Sequence, residues 1–246
     1  MSYKSMKFTL ENTMEYVPAE FIEKVTRTAW SQSIYYLKKY FGGLWSALAT
    51  KAVDIPGVVI YINVSGNVIS CKWRLLSTRP NVDVSLLDPK KYHISRIFIR
   101  EGDGDPVRSP LTNEILAKLK KMLSNGYKRV EEIDIEVACG GYPQILQLLD
   151  FVGSVEFFCM KGNDHIPFCK KILEQSVKRV VYESPTINGE CVELLQSALI
   201  AKRARGLWLE VSGTNKDVYD KIVNTILYDI TWHKSCRIEC TEDSNE

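Results

Sequence analysis

The sequence predicts an α/β chain, a curved and mostly parallel sheet built from irregular β/α repeats and preceded by a short helical element and a β-hairpin. Two observations carry this. Six short β-rich segments recur, 94–100, 132–137, 154–159, 179–183, 206–211 and 236–240. Their central apolar residues Ile97, Ile133, Val155, Val180, Leu207 and Ile238 stand 36, 22, 25, 27 and 31 residues apart. The intervening stretches keep helical spacing, as in Ile115, Leu116, Leu119 and Leu123, in Ile145, Leu146, Leu148 and Leu149, and in Val192, Leu195, Leu199 and Ile200. Val218, Ile222, Ile226 and Ile230 continue the series. One strand and one helix per 20 to 40 residues is the signature of stacked units that bury their apolar faces on one another.

Before the repeats, residues 1–15 show no sustained period and read as a loose arm. Pro18 opens a short helix in which Phe21, Ile22 and Val25 share a face, since proline suits a first helical turn. A second helix from about Ile34 carries Leu37, Phe41, Leu44, Trp45 and Leu48 as its apolar stripe, with Gly42-Gly43 weakening its middle. Pro56-Gly57 ends it. The runs 58–62 and 68–73 flank the loop Asn63-Val64-Ser65-Gly66-Asn67 and read as a hairpin. The expected organisation is therefore an arm (1–15), a helical element (16–55), a hairpin with linker (56–92), a repeat domain (93–241) and an acidic tail (242–246).

Alternation within the strands predicts that helices cover one side only. With Ile97, Ile133, Val155, Val180 and Leu207 inward, the other face presents Arg96, Phe98 and Arg100, Glu132, Asp134 and Glu136, then Glu156 and Phe158. It continues with Arg179, Val181 and Glu183, then Trp208 and Glu210. A parallel sheet covered on both faces would be near-continuous Val, Ile and Leu. The expected arrangement is that of a leucine-rich-repeat horseshoe without its asparagine ladder. Aromatic and arginine side chains are enriched where proteins meet proteins. Phe98, Arg100, Phe158, Trp208 and Glu210 are therefore the expected partner-binding residues.

Composition excludes other classes. At 246 residues with 45% apolar and 25% charged content, the chain is globular and can bury a sizeable core. Its 32 basic and 30 acidic side chains leave no field to steer it to nucleic acid or an anionic membrane. No leader or membrane span is expected, and the chain is placed in the cytosol or nucleus. Seven cysteines without a C-x-x-C pair read as reduced thiols packed as small hydrophobes. His233, Cys236 and Cys240 do not make a metal set, because residues four apart on a strand lie about 13 Å apart. Glu101-Gly102-Asp103-Gly104-Asp105 lacks the closing glutamate of a calcium loop. Gly140-Gly141 and Gly213-Thr214-Asn215-Lys216 lack phosphate-loop spacing. His93, His165 and His233 adjoin no serine or cysteine in a nucleophile signature. Neither catalysis, a metal nor a cofactor is expected.

The segment from Val17-Pro18 to Val25, followed by Leu37, Phe41, Leu44-Trp45 and Leu48, resembles an F-box. That family opens on a Leu-Pro pair and closes near a tryptophan about 27 residues after the proline, the separation of Pro18 and Trp45 here. Valine replaces the usual leucine, and Ala29-Trp30-Ser31-Gln32-Ser33 stands where a Pro-x-x-Asp-Leu turn is usual. Together with the repeats, the layout is similar to the divergent nematode F-box and F-box-related proteins. The resemblance implies that Pro18, Phe21, Ile22, Val25 and Trp45 form or support a surface for a Skp1-type adaptor, while the repeats hold an unidentified protein target. The expected function is then substrate recognition for a Skp1-cullin-type ubiquitin ligase. The alternative is a stand-alone repeat protein, a scaffold or antagonist, that binds a partner without ligase recruitment.

Overall fold

The computed structural model describes residues 17–28, 31–76, 82–102, 109–124, 129–137, 142–161, 166–184, 189–201, 203–204, 206–212, 224 and 236–241. The arm, the acidic tail, the stripe from Val218 to Ile230, His165, His233, Asp103 to Asp105, Gly140-Gly141 and Gly213 to Lys216 lie outside them.

Three helices come first: α1 (Ala19–Thr28), α2 (Ser31–Tyr40) and α3 (Gly43–Asp54). The Pro18 carbonyl accepts from the backbone N–H groups of Phe21 and Ile22 at 3.0 and 3.1 Å, so the proline leads directly into α1. The expected second helix is two, broken at Phe41-Gly42. Gly43 has φ +57, a conformation that a side chain disfavours, and it sets the change of direction. Ser46 Oγ donates to the Lys38 carbonyl at 3.2 Å and ties α3 to α2. Ile34 and Ala49 form a small cluster with Leu37, separate from the main core.

The strands are β1 (Gly57–Ser65), β2 (Val68–Leu75), β3 (His93–Glu101), β4 (Ser109–Pro110), β5 (Val130–Glu136), β6 (Ser154–Lys161), β7 (Ser176–Ser184), β8 (Leu207–Ser212) and β9 (Cys236–Thr241). They form one sheet in the order β4-β2-β1-β3-β5-β6-β7-β8-β9. β1 and β2 make the expected antiparallel hairpin, but its turn is Gly66-Asn67 alone, because Asn63, Val64 and Ser65 pair with Ser70, Ile69 and Val68; β1 joins β3 in parallel. From β3 through β5, β6, β7, β8 and β9 each strand adds in parallel to the one before. All six anticipated strands are thus neighbours in one sheet.

Helices α4 (Asn113–Ser124), α5 (Pro143–Leu149), α6 (Ile166–Leu173) and α7 (Gly189–Ile200) bury their apolar residues in the same core as the inward strand positions. Register stacks Ile60, Ile97, Ile133, Phe158, Val180 and Leu207 in one row and Ile62, Ile99, Ile135, Met160, Tyr182 and Leu209 in the next. Ile238 aligns with Leu209 and Cys236 with Leu207.

Phe158 corrects the reading of the sequence: it is expected outward and is wholly buried. The cause is an extra residue that recurs in the strands. Ile94 and Ile97, Val130 and Ile133, Val155 and Phe158, and Val177 and Val180 all belong to the core, a spacing of three that strict alternation forbids. The β1–β3 register shifts between Val58 and Val59, opposite Ser95. The β5–β6 pairing passes from Val130↔Val155 to Glu132↔Phe157, and the β6–β7 pairing from Val155↔Val177 to Phe157↔Arg179. One additional residue reverses the facing of all that follow. Because neighbouring strands carry it at the same level, the ladder stays in register. At Gly57, beside this irregularity, an added Cβ would lie 3.0 Å from Ser95 Cβ, so β1 approaches β3 where only glycine fits easily.

Candidate protein-interaction surfaces

The sheet face opposite the helices carries an ordered mosaic of charge and rings. Arg96 pairs with Glu131 and Glu132 at 3.8 and 3.2 Å. Arg100 pairs with Asp134 and Glu136, both at 3.2 Å. Lys161 bridges Glu136 at 3.7 Å and Glu183 at 3.3 Å. The charges therefore alternate from β3 to β7 along the register row Arg100, Glu136, Lys161 and Glu183. Half-exposed pairs of this kind each contribute about 0.2 to 1 kcal/mol, so the mosaic adds little to stability.

Rings fill the rows between. Tyr61 of β1 and Phe98 of β3 stack with centroids 5.3 Å apart. Lys72 Nζ and Arg74 Cζ lie 5.3 and 5.4 Å from the Tyr61 ring, and Arg100 Cζ lies 5.2 Å from that of Phe98. The stack thus runs cation, ring, ring, cation across β2, β1 and β3, an arrangement that ring quadrupoles favour. On β6 the outward ring is Phe157 instead of Phe158. It is 37% exposed, with Arg179 Cζ 5.2 Å from its centroid. Register continues the central row through Asp134, Cys159, Val181 and Trp208, and Trp208 is half-buried. Glu210 aligns with Glu183.

Asp134 sits deepest on this face. Burial, followed by the neighbouring Glu136 carboxylate, raises its pKa above the ordinary aspartate value, and Arg100 opposes the shift. The Cys159 thiol beside it is pushed up to about 12, first by burial and then by the Asp134 charge. A thiol held in that form is a poor nucleophile. Among the expected partner-binding residues, the structure places Phe98, Arg100 and Trp208 on this face and Phe158 in the core. Phe157, Tyr61, Lys72 and Arg74 escaped the sequence reading. The adjacent pair Phe157-Phe158, three residues after Val155, was the available signal for an extra residue in the strand.

The second surface lies on the N-terminal helices. Ile22 and Trp45 are buried, Val25 is half-buried, and Pro18 is exposed. Phe21 is 54% exposed, and Tyr35, Tyr36, Tyr40 and Leu44 are exposed with it. Phe21 and Leu44 thus leave the apolar stripes to which helical spacing assigned them. Tyr36 and Tyr40 stack at 5.7 Å, and Lys39 Nζ lies 5.1 Å from the Tyr40 ring. Phe41 packs on Trp45 with centroids 6.2 Å apart.

His93 is buried at the start of β3, and among the described residues no group of three His, Cys, Asp or Glu is placed to hold a metal ion. No helix among them is long and apolar enough to cross a membrane. No protein-family model, curated protein or solved structure matches this chain.

Proposed function

We propose that the chain is a protein-binding adaptor whose three N-terminal helices dock on a Skp1-type adaptor of a cullin ubiquitin ligase while the mosaic strand face of a leucine-rich-repeat-like body holds the target. The observation that carries this reading is the exposure of Phe21, Tyr35, Tyr36, Tyr40 and Leu44 on a helical unit with its own apolar cluster. Large apolar side chains gathered on a small surface mark sites of association, and rings of this kind anchor interfaces. Buried Ile22 and Trp45 then support the docking surface from beneath, whereas Phe21 and Leu44 touch the adaptor.

The mechanism needs no catalytic group. A chain held by the adaptor at one end and a target at the other raises the target's effective concentration at a ubiquitin-loaded enzyme. The test is pull-down of a purified Skp1-type adaptor by the full chain and by its Phe21→Ala/Leu44→Ala variant. Capture by the wild type and its loss in the variant, with the melting temperature kept, supports docking. Failure of the folded wild-type chain to capture the adaptor overturns it and leaves the stand-alone scaffold or antagonist.

A further inference from the structure

Three sulfur atoms that the sequence separates meet inside the repeat body. Cys169 on α6 and Cys191 on α7 belong to neighbouring repeats, and their Sγ atoms are 3.8 Å apart. Met160 on β6 brings its Sδ to 2.8 Å from Cys169 Sγ, which donates to it. All three side chains are buried in the main apolar core. We propose that Cys169, Cys191 and Met160 form a binding site for a soft monovalent metal ion, Cu(I).

Donor chemistry selects the class of ion. Thiolate and thioether ligands suit soft ions, while calcium, magnesium and manganese require oxygen. A zinc site takes four ligands, or three and a water. Cu(I) is content with a few sulfur ligands in a dry setting. The spacing fits as well: an ion about 2.3 Å from each of two thiolates that stand 3.8 Å apart subtends an angle of about 110° at the metal. Met160 has to withdraw by about 1 Å to join as third ligand, a movement within reach of an unbranched side chain with three rotatable bonds.

Charge balance follows from where the cysteines sit. Cys169 is the fourth residue of its helix and Cys191 the third of its own, and side chains lean towards the helix N-terminus. Two thiolates around one Cu(I) carry a net charge of −1. Two helix N-termini, each equivalent to about +0.5 charge, face that anion. An ordinary thiol is protonated at neutral pH. Binding therefore releases two protons: two thiols and Cu(I) give a bis-thiolate complex and two hydrogen ions, with no change of oxidation state.

The experiment is an anaerobic titration of the reduced full chain with Cu(I) against the chromophoric chelator bicinchoninate, read by retained copper, proton release and near-ultraviolet sulfur-to-copper absorption. The expected result is one Cu(I) retained per chain, with about two protons released and a higher melting temperature. Cys191→Ala and Cys169→Ala should each lower the affinity at least 100-fold, Met160→Leu about 10-fold, and Cys71→Ala or Cys159→Ala not at all. Circular dichroism verifies the fold of each variant. Should Cys169→Ala fail to fold, Cys191→Ala and the nearly isosteric Met160→Leu decide the matter. Less than stoichiometric retention by the wild type, or retention unchanged in the folded Cys191 and Met160 variants, overturns the proposal.

Discussion

The N-terminal helices and the sheet body bury their apolar side chains to very different extents. Of the eleven large hydrophobic residues exposed among the described residues, five lie on the three N-terminal helices, between Phe21 and Leu44. In the body, one core runs without interruption from Val58 to Leu209. Part of the contrast is geometric, because a unit of few residues has too little interior to cover its own surface. Position supplies the rest: the exposed residues in the helices are mostly rings grouped on α2, whereas the six in the body, Val68, Leu76, Leu86, Phe151, Phe157 and Ile200, are spread along the chain. The lesson is that neither region's proposed binding surface coincides with its apolar stripe. The helices present what they cannot bury, and the body presents charges and rings from the face its helices leave bare.

The comparison breaks most visibly at Phe158. Phe158→Ala removes a ring from the inward row between Ile133 and Val180 and should cost about 3 to 5 kcal/mol. Chemical denaturation would register that loss, and an unchanged midpoint would return Phe158 to the outer face. Trp45→Ala should cost a similar amount or somewhat less, since a buried ring in a small helical unit has more room to relax. Its loss should fall on the helices, with the near-ultraviolet signal of the sheet body retained as helical ellipticity declines. A full cooperative collapse of both regions would show that they fold as one.

Smaller effects sharpen the contrast between burial and display. Tyr36→Ala and Phe157→Ala should each change stability by about 0.5 kcal/mol or less, as surface substitutions do. If these rings are anchors, each should weaken its own complex by about 2 kcal/mol, adaptor for Tyr36 and target for Phe157. A binding loss exchanged between the two variants would sink the assignment of surfaces.

The smallest effect is that of pH. Asp134 has a raised pKa in the folded chain, so the native state binds its proton more tightly than the unfolded state does. Its contribution to stability is full below the unfolded value and is lost as pH rises through the folded value. Between pH 3.8 and the folded pKa, wild-type stability should therefore fall relative to Asp134→Asn. Parallel stability profiles for the two proteins across that interval would show that Arg100 compensates fully.

The six repeat strands, their neighbour order and the outward placement of Arg96, Phe98, Arg100, Glu132, Asp134 and Glu136 were legible because the period-two pattern and the repeat spacing are local properties of the chain, whereas the two-residue β4 was not expected. So were the hairpin and the run of apolar residues on α4, α5 and α7. The helix break at Gly43 and the exposure of Phe21 and Leu44 were less legible. A stripe of apolar residues specifies a face, but the partner helices decide how much of that face is covered.

What the sequence by itself determined is the alternation of strand and helix, the near-neutral charge and the set of side chains available to a partner. What only the tertiary structure decided is which of those side chains meet. The extra residue beside Glu156 turns Phe158 inward and Phe157 outward, a choice made by neighbouring strands that carry the same irregularity at the same level. Tyr61 and Phe98 stack because β1 lies beside β3, and Cys169 reaches Cys191 and Met160 because consecutive repeats pack helix on helix. Periodicity is written residue by residue, whereas these contacts join positions that only the stacking of repeats brings within reach.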